Sequence, residues 1–340
     1  MPEPLQQVSV IVCYHVGDLI DRCLKSIRES DTTGLKVRTI VVSSVDRIFH
    51  GCYTYVSSAG PAEKRNLGVK QFGLGDYYIF LDDDVELEPD CLRNLVSFMC
   101  SHPEVGMSYA KIRKMDDRVT LDDCGSWLTW TGFLWARAQN GVKDVGQYDT
   151  PCRILASKSA TCIVRADAFH AVWGFDPDYY ILGEETDLSW RLWLGGWEVW
   201  YNPTAVSYHA FGTPLKPKEK YYTPSRIFYR GPRNYLCLLI TNLGMIRLLV
   251  GLAIQVSAWT ASAVGFMVRG DWQRSWLIMK GILSLLKPTT LSRLISKRRL
   301  IQRSRTVSDR ELLAQVGYSP PISYYLKRLL RYTRQGLHGS

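Results

Sequence analysis

The chain has no Cys-x-x-Cys pair, although it carries nine cysteines, at 13, 23, 52, 91, 100, 124, 152, 162 and 237. Scattered singly and odd in number, they exclude a zinc ribbon or a disulfide frame. They fit reduced thiols in a cytosolic setting, serving as small core hydrophobes. No Gly-x-Gly-x-x-Gly follows the first apolar stretch, and no Gly-Lys-Ser/Thr occurs, which disfavours a dinucleotide dehydrogenase and a P-loop NTPase. No basic segment precedes "VSVIVCY" (8–14), and that stretch is too short for a secretion signal, so export through this end is not expected. The net charge of +10 comes without any nucleic-acid-binding motif, and no nucleic-acid partner is expected.

What is present is a substantial core: 46% of the 340 residues are apolar, enough for a large α/β domain with an appendage. The charge is uneven. From residue 271 onward there are 14 Lys/Arg against 3 Asp/Glu, a balance of +11 that leaves the first 270 residues at −1. "VSVIVCY" reads as a buried strand and "DLIDRCLKSIRES" (18–30) as a helix with Asp18 at its N-cap and Leu19, Cys23, Leu24 and Ile27 on one face. "VRTIVVSS" (37–44) is a second strand, "GPAEKRNLGVKQF" (60–72) a second helix with Pro61 in its first turn, and "YYIFL" (77–81) a third strand. Alternation at this spacing predicts an α/β fold with a Rossmann-like, mostly parallel, doubly wound sheet, whose ligands sit at the carboxyl ends of the strands.

At such an end the third strand delivers Asp82, Asp83 and Asp84 in a row. Aspartate is a poor strand residue and like charges repel, so the three require open water or a cation. A Mg²⁺ or Mn²⁺ on paired carboxylates is one way to hold a diphosphate in a chain that lacks a glycine-rich phosphate loop. Further on, Trp127, Trp130 and Trp135 form an aromatic cluster that either packs in the core or stacks on a sugar ring. "GEETDLSW" gathers Glu184, Glu185 and Asp187 at a helix start, where acids also serve simply as partners of the helix dipole.

Four blocks in order, "VSVIVCYH…LIDRCLKSI", "AGPAEKRNLGVKQFGLGDYYIFLDDDVELEPDCL", "SKSATCIVRADAFHAVWGFDPDYYILGEETDLSWRLWLGGWEVWYNPTAVSYH" and "RNYLCLLI", resemble family 2 glycosyltransferases of the GT-A fold, nearest a rhamnosyltransferase-like branch of cell-surface glycan synthesis. The resemblance covers roughly residues 8–240. It implies inverting, metal-dependent transfer of a sugar from a nucleotide-diphosphate donor. Asp82 then faces the donor nucleoside, Asp84 and His209 hold the metal, and Asp83 has a structural role on the opposite side of the chain. Arg65 and Asn66 are placed near the donor, with simple pairing of Arg65 to a neighbouring carboxylate as the other reading. Glu185 is the expected base, Asp187 the runner-up and Glu184 a supporting carboxylate. The sequence departs from the family in having Glu at 185 where Asp is usual, a shift of about 1.5 Å if the backbone stays put. It departs again in having Ser43 and Ser44 where an aspartate normally reads the base or ribose, with Asp46 two residues later as a substitute, so the donor base stays open among thymine, uracil and guanine. Trp127 and Trp130, with Arg230 and Arg233, are candidates for the acceptor, a polyprenyl-linked or glycan molecule whose diphosphate the two arginines would meet.

The domains expected are residues 1–212 for catalysis, 213–233 as a connector and 234–340 as basic, membrane-associated helices. Leu248–Val268 is uncharged and long enough to span a bilayer, but a single crossing would put the basic tail on the far side. Helices lying on the anionic cytoplasmic face are therefore expected, with "KRRLIQRSR" (297–305) and "YYLKRLLRYTR" (324–334) as lipid contacts; a buried core helix is the other reading. Two other classes compete. A nucleotidyltransferase would share fold and metal but usually shows a Gly-rich, basic loop after strand one, which "CYHVGDLIDRC" lacks. A catalytically degenerate sugar-nucleotide-binding or scaffold protein is the second.

Overall fold

The computed structural model describes residues 5–15, 17–138, 141–216 and 223–321. The basic segment 324–334 lies outside the described residues. Four strands, β1 (Gln6–Tyr14), β2 (Leu35–Ser43), β3 (Tyr53–Val56) and β4 (Tyr77–Asp82), form a parallel half-sheet in the order β4-β1-β2-β3. Both faces are covered, so β1 and β4 read as unbroken apolar runs. Their side chains nevertheless alternate: Ile11 and Phe80 face one core layer, while Val10, Val12, Ile79 and Leu81 face the other.

Helix α1 (Leu19–Arg28) buries Ile20, Cys23, Leu24 and Ile27, so Ile20 takes the place expected of Leu19. Helix α2 (Pro61–Phe72) opens with Pro61 in its first turn and lies close on the sheet. Gly68 permits that approach, because a Cβ there would come within 2.7 Å of Ile11 Cγ2.

Beyond β4 the chain forms β5 (Val85–Leu87), α3 (Cys91–Ser101), β6 (Val105–Lys114), β7 (Leu121–Asp123), β8 (Ser126–Thr129), β9 (Leu134–Ala136), β10 (Cys152–Arg153), β11 (Thr161–Arg165), α4 (Ala166–Ala171), α5 (Glu184–Leu194) and β12 (Glu198–His209). The sheet continues from β4 through β11, β6 and β12 to β10, and β11 runs antiparallel to both of its neighbours. The parallel character therefore belongs mainly to the amino-terminal half. Six of the nine cysteines are buried and none is disulfide-bonded, as expected for core thiols.

A π-helical turn, Ser225–Arg230, leads into α6 (Gly231–Asn242), α7 (Met245–Val268), α8 (Trp272–Leu283), α9 (Pro288–Ser304) and α10 (Asp309–Val316). The last described strand, β13 (Gly317–Tyr318), pairs with β8 to close a small sheet with β9. Leu236, Leu239, Ile301 and Leu312 belong to the same apolar cluster as Phe80, Tyr109 and Trp190, so these helices share the core layer that backs the end of β4.

Candidate active site

Asp82 follows the side of β4 set by Phe80, towards α2 and α5, and there it meets Arg65. The guanidinium donates to Asp82 Oδ1 at 2.9 Å and to Glu184 Oε1 at 3.1 Å, with its side chain only 2% exposed. Burial pulls the Arg65 pKa down, and Asp82, the Cys13 thiol and Glu184 more than reverse that, so its cation is fixed. Arg65 thus ties the strand end to the start of α5. Of the two sequence readings of Arg65, pairing to a neighbouring carboxylate is the one observed, with Asp82 and Glu184 as the partners.

Asp83 turns the other way, as expected, and accepts the His15 backbone N–H at 3.0 Å and the Lys216 ammonium at 2.8 Å. Burial raises its pKa. Asp84 lies 3.5 Å from His209 Nε2 and 3.1 Å from Lys216 Nζ, all three side chains being buried or nearly so. Its pKa is lowered to about 2: burial opposes ionisation, and His209 and Lys216 overcome it. His209 is raised to about 10 against its own burial, because Asp84 and Asp122 flank the ring.

Ligand atoms of Asp82, Asp84 and His209 all lie within 4.8 Å of one another. Asp84 Oδ2 is buried and faces the Lys216 ammonium at 3.1 Å. Buried carboxylates of this kind need cationic partners, and Lys216 supplies one while the ligand atoms of Asp82, Asp84 and His209 converge on another position. Two carboxylates and an imidazole suit Mn²⁺ and, less closely, Mg²⁺. The residues present therefore fit a divalent cation.

Helix α5 is approached through a strained loop in which Tyr180, Leu182 and Gly183 have φ of 62°, 73° and 95°. Positive φ at bulky residues costs energy and persists only where the surroundings hold it. Asn234 of α6 supplies the hold, its amide donating to the carbonyls of Tyr179, Ile181 and Leu182 at 2.9–3.0 Å. Asn234→Leu leaves the Ile181 and Leu182 carbonyls unpaired, whereas the Tyr179 carbonyl keeps the Ile181 N–H at 2.7 Å, and the expected loss of stability is on the order of 2 kcal/mol. A melting curve of the variant unchanged from wild type would refute this.

The loop delivers Glu184 and Glu185 differently. Glu184 is buried against Arg65, while Glu185 is half-buried and forms no ion pair among the described residues, since the guanidinium is taken by its two other partners. Burial, then the neighbouring Glu184 charge, pushes the Glu185 pKa well above the usual carboxylate range. Asp187, the runner-up, is fully engaged: Tyr179 Oη and Asn242 Nδ2 each donate at 3.2 Å, and Arg191 Nε at 2.8 Å. It ties α5 to its surroundings from inside the core.

Asp46 is exposed in the loop after β2, two residues beyond Ser44. The polar group beside Ser44 is instead Lys64, which is buried and donates to the Tyr14 carbonyl at 2.6 Å and to the Ser44 hydroxyl. His15 Nδ1 is 3.0 Å from that same hydroxyl. Sequence reading missed Lys64, His15 and Lys216; only the position of Lys64 next to Arg65 pointed to any of them. Asn66 is a clamp, with its amide giving to the Phe175 carbonyl at 2.7 Å and taking the Phe175 N–H at 2.9 Å.

The aromatic candidates separate. Trp127 donates to the Arg153 carbonyl at 3.1 Å and stacks with Tyr318, a packing role. Trp130 is 53% exposed. Arg230 lies over the Tyr180 ring at 4.4 Å, and Arg233 donates to the Asp178 carbonyl at 3.2 Å, so both flank the strained loop.

A sheet of this order, with acids and a histidine converging where its strands end and a second acidic pair facing them across a buried arginine, is the GT-A fold. The chain belongs to glycosyl transferase family group 2, whose family model matches residues 77–283. Over 178 residues it is 29% identical to the pre-mycofactocin glycosyltransferase of Mycobacterium tuberculosis, covering 51% of this chain and 34% of that protein. Over 124 residues it is 28% identical to the O-antigen biosynthesis protein RfbC of Myxococcus xanthus, covering 35% of this chain and 10% of that protein. The chain thus spans at most about a third of the length of these curated relatives. Among solved structures it is similar to GalNAc-T7 crystallised with UDP, GalNAc and Mn²⁺, at TM-score 0.62 and 13% identity over 96% of this chain and 58% of that one. It is also similar to the mannosyltransferase PcManGT of Pyrobaculum calidifontis with GDP-Man and Mn²⁺, at TM-score 0.50 and 14% identity, covering 89% and 87%. At such identities the likeness is one of fold.

Proposed function

We propose that this protein moves a sugar, with inversion, from a nucleotide-diphosphate donor to a lipid-linked or polysaccharide acceptor of cell-surface glycan synthesis. The observation that carries the reading is the convergence of Asp82, Asp84 and His209 within 4.8 Å of one another. A bound Mg²⁺ or Mn²⁺ would neutralise the diphosphate as it leaves. Arg65 orients Asp82 and holds Glu184 beside it, while Ser44, Lys64 and His15 line the end that takes the nucleoside. Glu185 takes the proton of the acceptor hydroxyl as that oxygen attacks the anomeric carbon from the face opposite the leaving group. Arg230 and Arg233 offer the acceptor's phosphates two cations beside the loop that carries Glu185. The test is nucleoside diphosphate release from dTDP-, UDP- and GDP-sugars with Mn²⁺ and an acceptor extract. Release from one donor, abolished by EDTA, is expected; metal-dependent donor binding without turnover would favour the scaffold reading.

An interfacial seat on the cytoplasmic leaflet is the second part of the proposal. Helix α7 is long and apolar enough to cross a membrane, but most of it is not buried, unlike a core helix. Ile246, Leu249, Val250 and Val268 form an open stripe that continues to Trp272 and Trp276 of α8. Tryptophan at the edge of an apolar face, with Arg269, Lys280 and Lys287 exposed nearby, suits the headgroup layer of an anionic bilayer. The protein is expected to float with phosphatidylglycerol vesicles and much less with phosphatidylcholine vesicles. Trp272→Ser/Trp276→Ser should weaken flotation several-fold, and absence of flotation with either lipid would refute the seat.

A further inference from the structure

Asp122 stands outside every role assigned so far, yet it is bound directly to the ring that faces Asp84. His209 Nδ1 lies 2.9 Å from Asp122 Oδ2, whereas Nε2 lies 3.5 Å from Asp84 Oδ1, beyond a good hydrogen bond. The other carboxylate oxygen, Oδ1, takes Lys158 Nζ at 2.7 Å. Phe211 stacks on the imidazole at 5.7 Å and an interplanar angle of 22°, fixing the plane of the ring. Asp122 is itself held from behind: it lies on β7, and its neighbour Asp123 accepts the Gly125 N–H and the Ser157 hydroxyl, which draws the segment bearing Lys158 against the strand. Each contact restricts the imidazole to one orientation, with Nε2 towards the two acidic ligands.

We propose that Asp122, anchored by Lys158, is the positioning residue that sets His209 to bind the catalytic divalent cation through Nε2. The proposal rests on the cation reading above. A ring that gives its Nε2 lone pair to a cation keeps its one proton on Nδ1, and a carboxylate on that proton fixes the ring and raises the basicity of the ligating nitrogen. Without Asp122 the imidazole is free to turn and to place either nitrogen at the cation. Nothing in the local sequence shows this, because Asp122 and His209 are 87 residues apart.

The test is Mn²⁺ affinity, read from the free-Mn²⁺ electron paramagnetic resonance signal, in wild type, Asp122→Asn, Asp122→Ala and Asp123→Asn, with a melting curve for each. Asn keeps the volume and one acceptor but loses the charge, so about a 10-fold weakening is expected for it and up to about 100-fold for Ala. Asp123→Asn is expected to lower the melting temperature while leaving Mn²⁺ affinity within about two-fold of wild type, because it props the strand and does not touch the ring. In turnover, Asp122→Asn should raise the Mn²⁺ concentration giving half-maximal rate and recover most of kcat at saturating Mn²⁺. Wild-type Mn²⁺ affinity in a folded Asp122→Asn protein overturns the role of Asp122. Failure of the wild-type protein to bind Mn²⁺, with or without nucleotide, overturns the cation reading itself and this proposal with it.

Discussion

Glu185→Gln is expected to lower sugar transfer by about 10²- to 10⁴-fold while donor and Mn²⁺ binding stay near wild type. The amide keeps the shape of the side chain and cannot accept the acceptor's proton, so the loss falls on the chemical step. Glu185 is suited to that step because burial and the Glu184 charge raise its pKa, bringing a carboxylate towards the range in which a general base works best. Two consequences follow from the sign of the shift. Activity should fall on the acid side along a limb lying well above the usual carboxylate range, since the base works only when ionised. Stability should move oppositely: as pH rises past the ordinary glutamate pKa the unfolded chain ionises first, so the folded state loses stability until pH passes the raised native value. Glu185→Gln removes that loss, and the variant should melt higher than wild type near neutral pH while being almost inactive. A variant that retains transfer would pass the base role to another group, and one that melts lower would contradict the burial of a strained carboxyl.

Asp84→Ala carries the second large effect. It removes a ligand oxygen and leaves His209 and Lys216 facing a site without its anion, so Mn²⁺ binding should be lost at millimolar metal. With the cation goes several kcal/mol of stabilisation of the departing diphosphate, and kcat/KM should drop by about 10³-fold. Asp83→Ala offers the contrast, because Asp83 ties the end of β1 through the His15 N–H, and its loss should be read in the melting curve more than in Mn²⁺ affinity. Equal Mn²⁺ affinity in wild type and Asp84→Ala would contradict the assignment.

The parts of this site legible in the sequence were those that a strand or helix presents locally. Asp82 to Asp84 follow an apolar run and Glu184 and Glu185 open a helix, so position marked them, while His209 and the division of roles were what the family resemblance implied. The roles that misled or escaped the reading depend on contacts across the chain. Arg65 meets Glu184 over a separation of 119 residues, and Asn66 clamps Phe175 over 109, so neither bond has a trace in local spacing. Asp187 sits two residues from Glu185, yet the roughly 200° turn between them points it into the core, where Arg191, Tyr179 and Asn242 take both its oxygens. For Trp127 core packing and a sugar platform both stood open in the sequence, and the stack with Tyr318 of β13, far along the chain, is a packing contact no local spacing shows. Lys64 was hidden because a lysine in a helix usually reads as a solvated one, and only the packing of α2 against β1 and β2 brings it inside.

Calorimetric titration of the protein with nucleotide-diphosphate sugars, in Mn²⁺ and again in EDTA, tests most directly the claim that Asp82, Asp84 and His209 hold a cation for a diphosphate. One donor should bind in Mn²⁺, fail to bind in EDTA, and fail to bind Asp84→Ala in Mn²⁺. Equal binding in Mn²⁺ and EDTA, or no binding of any donor with Mn²⁺ present, would contradict it.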